Sequence, residues 1–147
     1  MNAGRPGPSL RKDYADYYVI QSRWMDNDVY GHMNNVVHYS LFDTAVNGWL
    51  IEHGLLDPHK GAALGLVVES GCRYFSEMAF PDIITAGLRI TKIGNSSVRY
   101  EVGLFRNDED RASAEGFFVH VIVDAKTRRP KPIEDSARDA LEALLAM

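Results

Sequence analysis

The chain has 147 residues, of which 46% are hydrophobic and 24% charged, and its formal net charge at pH 7 is -4. This length suits one domain with a substantial core, and the composition excludes a disordered chain or one that needs a metal or disulfide to fold. The acidic balance argues against a general nucleic-acid-binding protein. The single cysteine, Cys72, excludes an internal disulfide, and we interpret it as a small buried residue.

The first 13 residues, MNAGRPGPSLRKD, predict a flexible leader. They lack the continuous apolar run of a signal peptide. No segment approaches the roughly 18 apolar residues of a membrane-spanning helix. We therefore expect a soluble, cytoplasmic protein with one folded domain over residues 14–147.

The first predicted elements are a strand and a long helix. Aromatic and β-branched residues between Tyr14 and Trp24 favour the strand, and the polar sequence DNDVYG ends it. The helix follows, with Asn34 or Asn35 as its N-cap and Gly54 just beyond its end. One apolar face of this helix carries His38, Phe42, Ala45, Val46, Trp49 and Leu50.

Four strand-like segments come after a loop at residues 55–62: LGLVVESGCRYFSEM, DIITAGLRITKIG, SSVRYEVGLFR and ASAEGFFVHVIVDA. The turn signals FPD, GN and NDED between them are short enough for hairpins, so these strands should run antiparallel to their neighbours. FFVHVIV is apolar on both faces, which indicates a central strand covered on both sides. Asp135 or Ser136 then caps a short final helix, whose apolar stripe contains Ala137, Leu141, Leu144 and Leu145.

This order of elements predicts an α+β fold, in which the long helix packs on a curled five-stranded antiparallel sheet and a short helix ends the chain. A helix with Phe42, Trp49 and Leu50 on one side needs a broad concave surface to bury them. The sheet must therefore wrap around the helix.

The stretch DNDVYGHMNN brings three chemical ingredients to the start of the long helix. Asp26 and Asp28 are carboxylates that can act as base or nucleophile. The helix start offers unpaired backbone N–H groups to a developing oxyanion, and Gly31 lets a carbonyl group approach the backbone closely. These ingredients suffice for acyl transfer to water, although ordinary turn and capping residues have the same composition.

The string D-x-D-x-x-G-H-x-N-N-x-x-x-Y resembles the signature of the hotdog-fold acyl-CoA thioesterases of the 4-hydroxybenzoyl-CoA thioesterase type. Here it consists of Asp26, Asp28, Gly31, His32, Asn34, Asn35 and Tyr39. The resemblance covers residues 14–133 and implies the hotdog fold and hydrolysis of an acyl-CoA to a free acid and CoA. It also implies a homodimer or homotetramer with active sites at the subunit interface, and no cofactor, because CoA is part of the substrate.

The resemblance assigns a role to each residue of the signature. Asp28 matches the catalytic carboxylate, which attacks the thioester carbonyl or activates water, and Asp26 matches a structural companion. The backbone N–H of Gly31 or His32 would polarise the thioester oxygen. Asn34 and Asn35 would orient water or cap the helix.

Further residues are candidates for substrate binding. Tyr39 closes the signature, and Ser96 and Ser97 lie in a GNSS turn that is similar to the G-x-S-S segment along the pantetheine arm, although a plain hairpin turn explains them equally well. Four cations could bind the phosphates of CoA or form a solvated turn: Lys126, Arg128, Arg129 and Lys131. Glu69 is a reserve candidate for the base, with a surface ion pair to Arg73 as the main interpretation.

Other families and chemistries fit less well. The carrier-protein thioesterases of plants have asparagine at the position of Tyr30, and the hotdog hydratases carry an Asn-Pro pair that this chain lacks. The spacing of His32 and His38 does not place both rings on one helical face, so we expect no metal site. His38 and His120 are interpreted as satisfied core or interface histidines. The remaining alternative is a non-catalytic acyl-CoA binding or sensing module, which would not need Asp28.

Overall fold

The computed structural model describes residues 7–57 and 61–145. Its strands and helices are, in chain order, β1 (Asp16–Gln21), α1 (Val37–Glu52), β2 (Ala63–Tyr74), β3 (Ile83–Ile93), β4 (Ser97–Arg106), β5 (Ala114–Asp124) and α2 (Asp135–Glu142). The predicted α+β hotdog architecture is confirmed. Residues 1–6 of the predicted leader and 58–60 of the predicted loop lie outside the described part of the chain.

All five strands belong to one antiparallel sheet with the order β1-β3-β4-β5-β2. The hairpins predicted at GN and NDED join β3 to β4 and β4 to β5, as expected. The prediction of a hairpin between β2 and β3 at FPD is wrong. The strand β2 forms one edge of the sheet and pairs with β5, whereas β3 pairs with β1 near the other edge of the sheet. Residues 75–82 cross from one side of the sheet to the other, and a local turn signal does not reveal which strand the chain reaches next.

The helix α1 lies on the sheet with its predicted apolar face inward. Phe42 and Ala45 are fully buried, and Val46 and Trp49 are 1% and 3% exposed. Phe42 packs directly on the backbone of β5, where a side chain on Gly116 would overlap its ring. This close approach sets the height of the helix above the sheet.

The strand β5 is interior to the sheet, between β4 and β2, but it is not fully covered on both faces. Its buried positions alternate with half-buried ones, including Phe117, Val119 and Val121. The prediction that β5 is covered on both faces is therefore wrong, because no helix or strand of the described residues covers its outer face.

Part of the predicted leader is structured. Leu10 forms a β-bridge with Arg111, and the backbone of Ser9 accepts a 2.9 Å hydrogen bond from Ala112. The folded domain therefore begins before Tyr14. Tyr14, Phe105 and Ala112 form a small second cluster of buried residues.

The short helix α2 closes one end of the core. Leu141 and Leu144 are buried as predicted, whereas Leu145 is 37% exposed. The residue before the first helical turn is Glu134, so neither Asp135 nor Ser136 is the N-cap. No helix in the described ranges is long and apolar enough to cross a membrane.

Replacing Gly116 with Ala tests the packing of α1 on β5. We expect Gly116→Ala to lower the free energy of unfolding by about 1–3 kcal/mol, because the new methyl group must displace the buried Phe42 ring. Urea unfolding followed by circular dichroism measures the loss. Gly71→Ala is the matched control, since its methyl group would meet only the edge of the half-buried Phe117 ring; equal losses in both variants would contradict the close packing of Phe42.

Candidate active site

The polar stretch before α1 is anchored by the buried side chain of Asp26, which is 2% exposed. Its carboxylate accepts hydrogen bonds from the Arg23 backbone N–H at 2.7 Å and from the Arg23 guanidinium at 2.9 Å. Its carbonyl oxygen accepts the N–H of Asn34 at 2.9 Å. Asp26 thus joins the end of β1 to the start of the helix, and all of its observed contacts are structural.

Asp28 lies in a tight turn that presents its carboxylate. The backbone N–H of Asp28 donates to the carbonyl of His32 at 2.9 Å, and the N–H of Gly31 donates to the carbonyl of Asp28 at 3.1 Å. Gly31 has φ +85°, a conformation that other residues rarely adopt. One carboxylate oxygen, Oδ1, accepts the N–H of Tyr30 at 2.9 Å, which fixes the direction of the side chain.

His32 stands beside this carboxylate without a close hydrogen bond to it. Its Nδ1 lies 4.0 Å from Oδ2 of Asp28 and 3.2 Å from the Met33 carbonyl, and its Nε2 lies 4.0 Å from Glu77. The ring also stacks on Tyr30, with centroids 6.2 Å apart. Oδ2 of Asp28 accepts no hydrogen bond from the described residues, and 17% of the Asp28 side chain is exposed.

The start of α1 is held by the two asparagines. The N-cap of α1 is Val36, so the prediction of Asn34 or Asn35 as the N-cap is wrong. Asn34 instead closes the turn that leads into the helix, since its Oδ1 accepts the Val36 N–H at 3.0 Å and its carbonyl accepts the Val37 N–H at 2.9 Å. The carbonyl of Asn35 accepts a 2.8 Å hydrogen bond from the hydroxyl of Tyr74 at the end of β2. Within the described residues the backbone N–H of His32 has no acceptor, whereas that of Gly31 is used inside the turn.

Tyr74 also contacts His38, in an edge-to-face arrangement with ring centroids 4.7 Å apart. His38 is 4% exposed, and its burial lowers its pKa. Its Nδ1 has no hydrogen-bond partner in the described chain, whereas the backbone of Asn34 and Asn35 partly opposes the lowering of its pKa, so His38 is satisfied only in part. His120 is equally buried and its Nε2 also lacks a partner there, so it is likewise not fully satisfied. Sequence reasoning did not find Tyr74, because the end of β2 meets the helix only in the folded chain.

The candidates for substrate binding lie elsewhere in the protomer. Ser97 begins β4 opposite Val121, and the carbonyl of Ser96 accepts the N–H of Ile122, so both serines lie beside the second half of β5. The basic segment, residues 126–131, directly follows β5. Asp124, the last residue of β5, pairs with Ala63, the first residue of β2. None of the four cations of the basic segment, Lys126, Arg128, Arg129 and Lys131, forms an ion pair within the described residues.

Distances along β2 separate Asp28 from the basic segment and Glu69 from Arg73. The strand has 12 residues, so at about 3.3 Å per residue its ends lie about 36 Å apart. Asp28 is close to the Tyr74 end and the basic segment to the Ala63 end. Glu69 and Arg73 are exposed and about 13 Å apart along the strand, and the expected ion pair between them is absent from the described residues.

Other predicted residues have plain structural surroundings. Tyr39 is half-buried in the first turn of α1 and packs edge-on against Phe42, with centroids 5.9 Å apart. Cys72 is only half-buried, contrary to the prediction that it is buried. Over residues 7–57 and 61–145, no group of three or more His, Cys, Asp or Glu side chains is placed to hold a metal ion.

Apolar side chains around Asp28 are unusually exposed. Val29 is 94% exposed, Tyr30 81%, Trp24 75% and Val36 66%. An exposed apolar patch beside a polar site is typical of a surface that another molecule covers.

Comparison with known proteins defines the class to which this fold and site belong. The family model of the thioesterase-like superfamily matches residues 22–141, a range that begins just before Asp26 and ends in α2. The chain belongs to the thioesterase-like superfamily. Among curated proteins, none matches it.

Solved structures agree with this membership. The PA5185 protein from Pseudomonas aeruginosa strain PAO1 is 51% identical, with 96% of this chain and 98% of that chain covered and a TM-score of 0.92. PA2801 from Pseudomonas aeruginosa, described as a candidate thioesterase, is 28% identical, with 87% and 98% covered and a TM-score of 0.80. Slr0204, a 1,4-dihydroxy-2-naphthoyl-CoA thioesterase from Synechocystis, is 17% identical, with 85% and 93% covered and a TM-score of 0.77, and shares the fold.

The two aspartates should respond differently to loss of charge. We expect Asp26→Asn to lower the free energy of unfolding by about 1–3 kcal/mol, because a buried carboxylate that accepts several hydrogen bonds is lost. Asp28→Asn should leave the free energy of unfolding nearly unchanged, since an amide oxygen can still accept the Tyr30 N–H. Urea unfolding of both variants measures the difference, and a larger loss for Asp28→Asn would contradict this division of roles.

Proposed function

We propose that the protein hydrolyses acyl-CoA thioesters to a free acid and CoA, with Asp28 as general base or nucleophile. Membership of the thioesterase-like superfamily supports thioester hydrolysis in general. The observation that carries the assignment to Asp28 is its carboxylate, in which Oδ1 accepts the Tyr30 N–H while Oδ2 has no hydrogen bond from the described residues. A carboxylate directed at a reacting carbon can attack it or take a proton from water.

The backbone N–H of His32 is our candidate to polarise the thioester carbonyl. It lies four residues beyond Asp28 in the same turn and has no acceptor in the described chain, while the Gly31 N–H already donates to Asp28. A free donor aimed at a developing oxyanion is worth roughly 10²- to 10³-fold in rate in enzymes generally. Asn34, which accepts the Val36 N–H in the turn before the helix, and Tyr74, which binds the Asn35 carbonyl, then serve as positioning residues.

We further propose that the active unit is a dimer formed through β2. This strand is a 12-residue edge, and Leu66, Val67 and Val68 on it are 38%, 49% and 61% exposed. A long apolar edge of this kind favours association with a second copy. The exposed apolar residues around Asp28 lie near the same edge and would be covered with it.

Such a dimer explains how one site can use both ends of β2. A two-fold axis that pairs the two edge strands antiparallel places the Tyr74 end of one protomer beside the Ala63 end of the other. Asp28 of one protomer then lies beside the basic segment of its partner, although the two are far apart in one chain. We propose that Arg128, Arg129 and Lys131 bind the phosphates of the CoA whose thioester is attacked by Asp28 of the partner subunit.

The catalytic assignment predicts the behaviour of Asp28→Asn. We expect kcat for the best acyl-CoA to fall by about 10²- to 10⁴-fold, because the isosteric amide cannot act as base or nucleophile. Release of free thiol from a panel of short, long and aromatic acyl-CoAs measures this loss. Glu69→Gln is the control for the reserve candidate and should keep wild-type kcat.

Two outcomes would contradict the assignment. If folded Asp28→Asn were as active as wild type, Asp28 would not be catalytic. If the wild-type protein bound acyl-CoAs but hydrolysed none of them, the protein would be the non-catalytic binding module.

The basic segment predicts a selective effect on binding. Arg128→Gln combined with Arg129→Gln should raise KM for acyl-CoAs at least about fivefold and leave KM for the matching pantetheine esters nearly unchanged, because only CoA carries the nucleotide phosphates. A double variant with Lys12→Gln and Lys92→Gln removes the same charge elsewhere and is the control. Equal effects on both substrates would remove the phosphate-binding role.

Mixing the two kinds of variant tests whether the site is shared. Asp28→Asn dimers and Arg128→Gln/Arg129→Gln dimers, unfolded and refolded together, form heterodimers in which one site has both an intact aspartate and an intact basic segment. About a quarter of all sites should then show the wild-type KM and kcat. If each site used residues of one chain only, no heterodimer would contain an intact site. The mixture would then contain no sites with both the wild-type KM and the wild-type kcat.

A further inference from the structure

An open cavity of about 470 Å³ lies between the second half of α1, the first residues of β2 and the segment after β5. Its size falls within the range of about 300–1,000 Å³ that is usual for sites of small organic molecules. Most of the wall is aliphatic, and it includes Leu50, Leu55, Leu64, Leu66 and Ile122. Its chemistry suits an apolar group. It is separate from the Asp28 turn of the same chain, since the cavity lies at the opposite end of α1.

Six polar side chains also line the cavity: Asn47, Asp57, Tyr100, His120, Lys131 and Glu134. Only two of them, Tyr100 and His120, are buried. Tyr100 on β4 and His120 on β5 both line the cavity, are 2% and 3% exposed, and have ring centroids 5.1 Å apart. Neither side chain makes a hydrogen bond to the described part of the chain. Burial lowers the pKa of His120 and raises that of Tyr100, so both are neutral at pH 7. Buried polar groups without partners cost stability, and their presence in a cavity points to a ligand that pairs with them.

Gly65 gives the cavity access to the imidazole. A Cβ atom at this position would stand 3.0 Å from Nδ1 of His120, so glycine keeps a side chain away from that nitrogen, and both residues line the cavity. Nε2 is fully buried without a partner. Because a buried N–H without an acceptor costs more than a buried lone pair, the proton belongs on Nδ1. His120 therefore offers a donor to the cavity, and the Tyr100 hydroxyl can donate or accept beside it.

The geometry of the proposed dimer connects this cavity with catalysis. Residues 63–66 in its wall belong to the Ala63 end of β2, which lies beside the Asp28 turn of the partner when the edges pair antiparallel. Resting on that proposed function, we propose that the cavity receives the acyl group of the thioester attacked by Asp28 of the partner subunit. We propose further that Tyr100 and His120 select acyl groups carrying a hydroxyl or carbonyl oxygen remote from the thioester.

Matched substrate pairs test this selection. Octanoyl-CoA is compared with ω-hydroxyoctanoyl-CoA, and benzoyl-CoA with 4-hydroxybenzoyl-CoA. In at least one pair we expect wild-type kcat/KM to favour the oxygenated member by about tenfold or more, because a site that hydrogen-bonds a substrate oxygen discriminates against the analogue without it. Tyr100→Phe should reduce this preference to within about threefold and slow only the oxygenated substrate.

Two further variants separate the roles of the polar groups. Gly65→Ala covers Nδ1 without removing the imidazole and should also reduce the preference. Tyr14→Phe deletes a buried hydroxyl from the separate small cluster and should leave the preference at the wild-type value. Hydrolysis of both members of every pair at equal kcat/KM would overturn the selection and leave the thioesterase proposal intact.

A binding measurement keeps the test independent of catalysis. The free acids of the four thioesters are titrated into the wild-type protein and Tyr100→Phe by calorimetry, and the imidazole nitrogens of His120 are followed by NMR. Oxygenated acids should bind wild type at least about fivefold more tightly than their analogues and shift the His120 signals. If no thioester is hydrolysed but this binding is found, the catalytic proposal fails and the cavity assignment holds; absent or equal binding overturns the cavity assignment.

Discussion

The contact of the Phe42 ring with the bare backbone of Gly116 is the constraint on which the rest of the structure depends. It lets α1 lie close against β5, and the same helix face buries Ala45, Val46 and Trp49. Once the helix is fixed in this way, its first turn and the Asp28 turn before it have a fixed position relative to the sheet. The hydrogen bond from Tyr74 to the Asn35 carbonyl secures that end from the side of β2.

The candidate site is therefore well hydrogen-bonded within the protomer but incomplete there. Asp26, Asn34 and Gly31 use their hydrogen bonds to shape the turn, which leaves Oδ2 of Asp28 and the N–H of His32 for chemistry. The apolar groups that should surround a thioester are exposed at this turn, while the cavity and the cations lie at the far end of β2. A two-fold pairing of β2 edges would cover the exposed apolar groups and would bring the cavity and the cations of one protomer beside Asp28 of the other.

Much of this arrangement was predictable from local patterns. The periodicity of α1 identified its buried face, the turn residues gave the β3–β4 and β4–β5 hairpins, and the D-x-D-x-x-G-H-x-N-N string gave the family. The pairing of β2 with β5 was not predictable, because residues 75–82 carry a turn signal but no information on which edge the chain reaches. His38 and His120 were taken for satisfied core or interface residues, since sequence shows that a side chain is buried but not whether its nitrogens find partners.

The sequence by itself determined the order of the strands and helices, the polar turn before the long helix and the carboxylate in that turn, because each depends on residues within one or two turns of the chain. Only the tertiary structure decided which groups share a surface. It separated Asp28 from the basic segment by the length of β2, brought Tyr74 to Asn35, and left Tyr100 and His120 unpaired in one cavity. These relations join residues far apart in the chain, and they are fixed by strand order and helix packing rather than by any local preference.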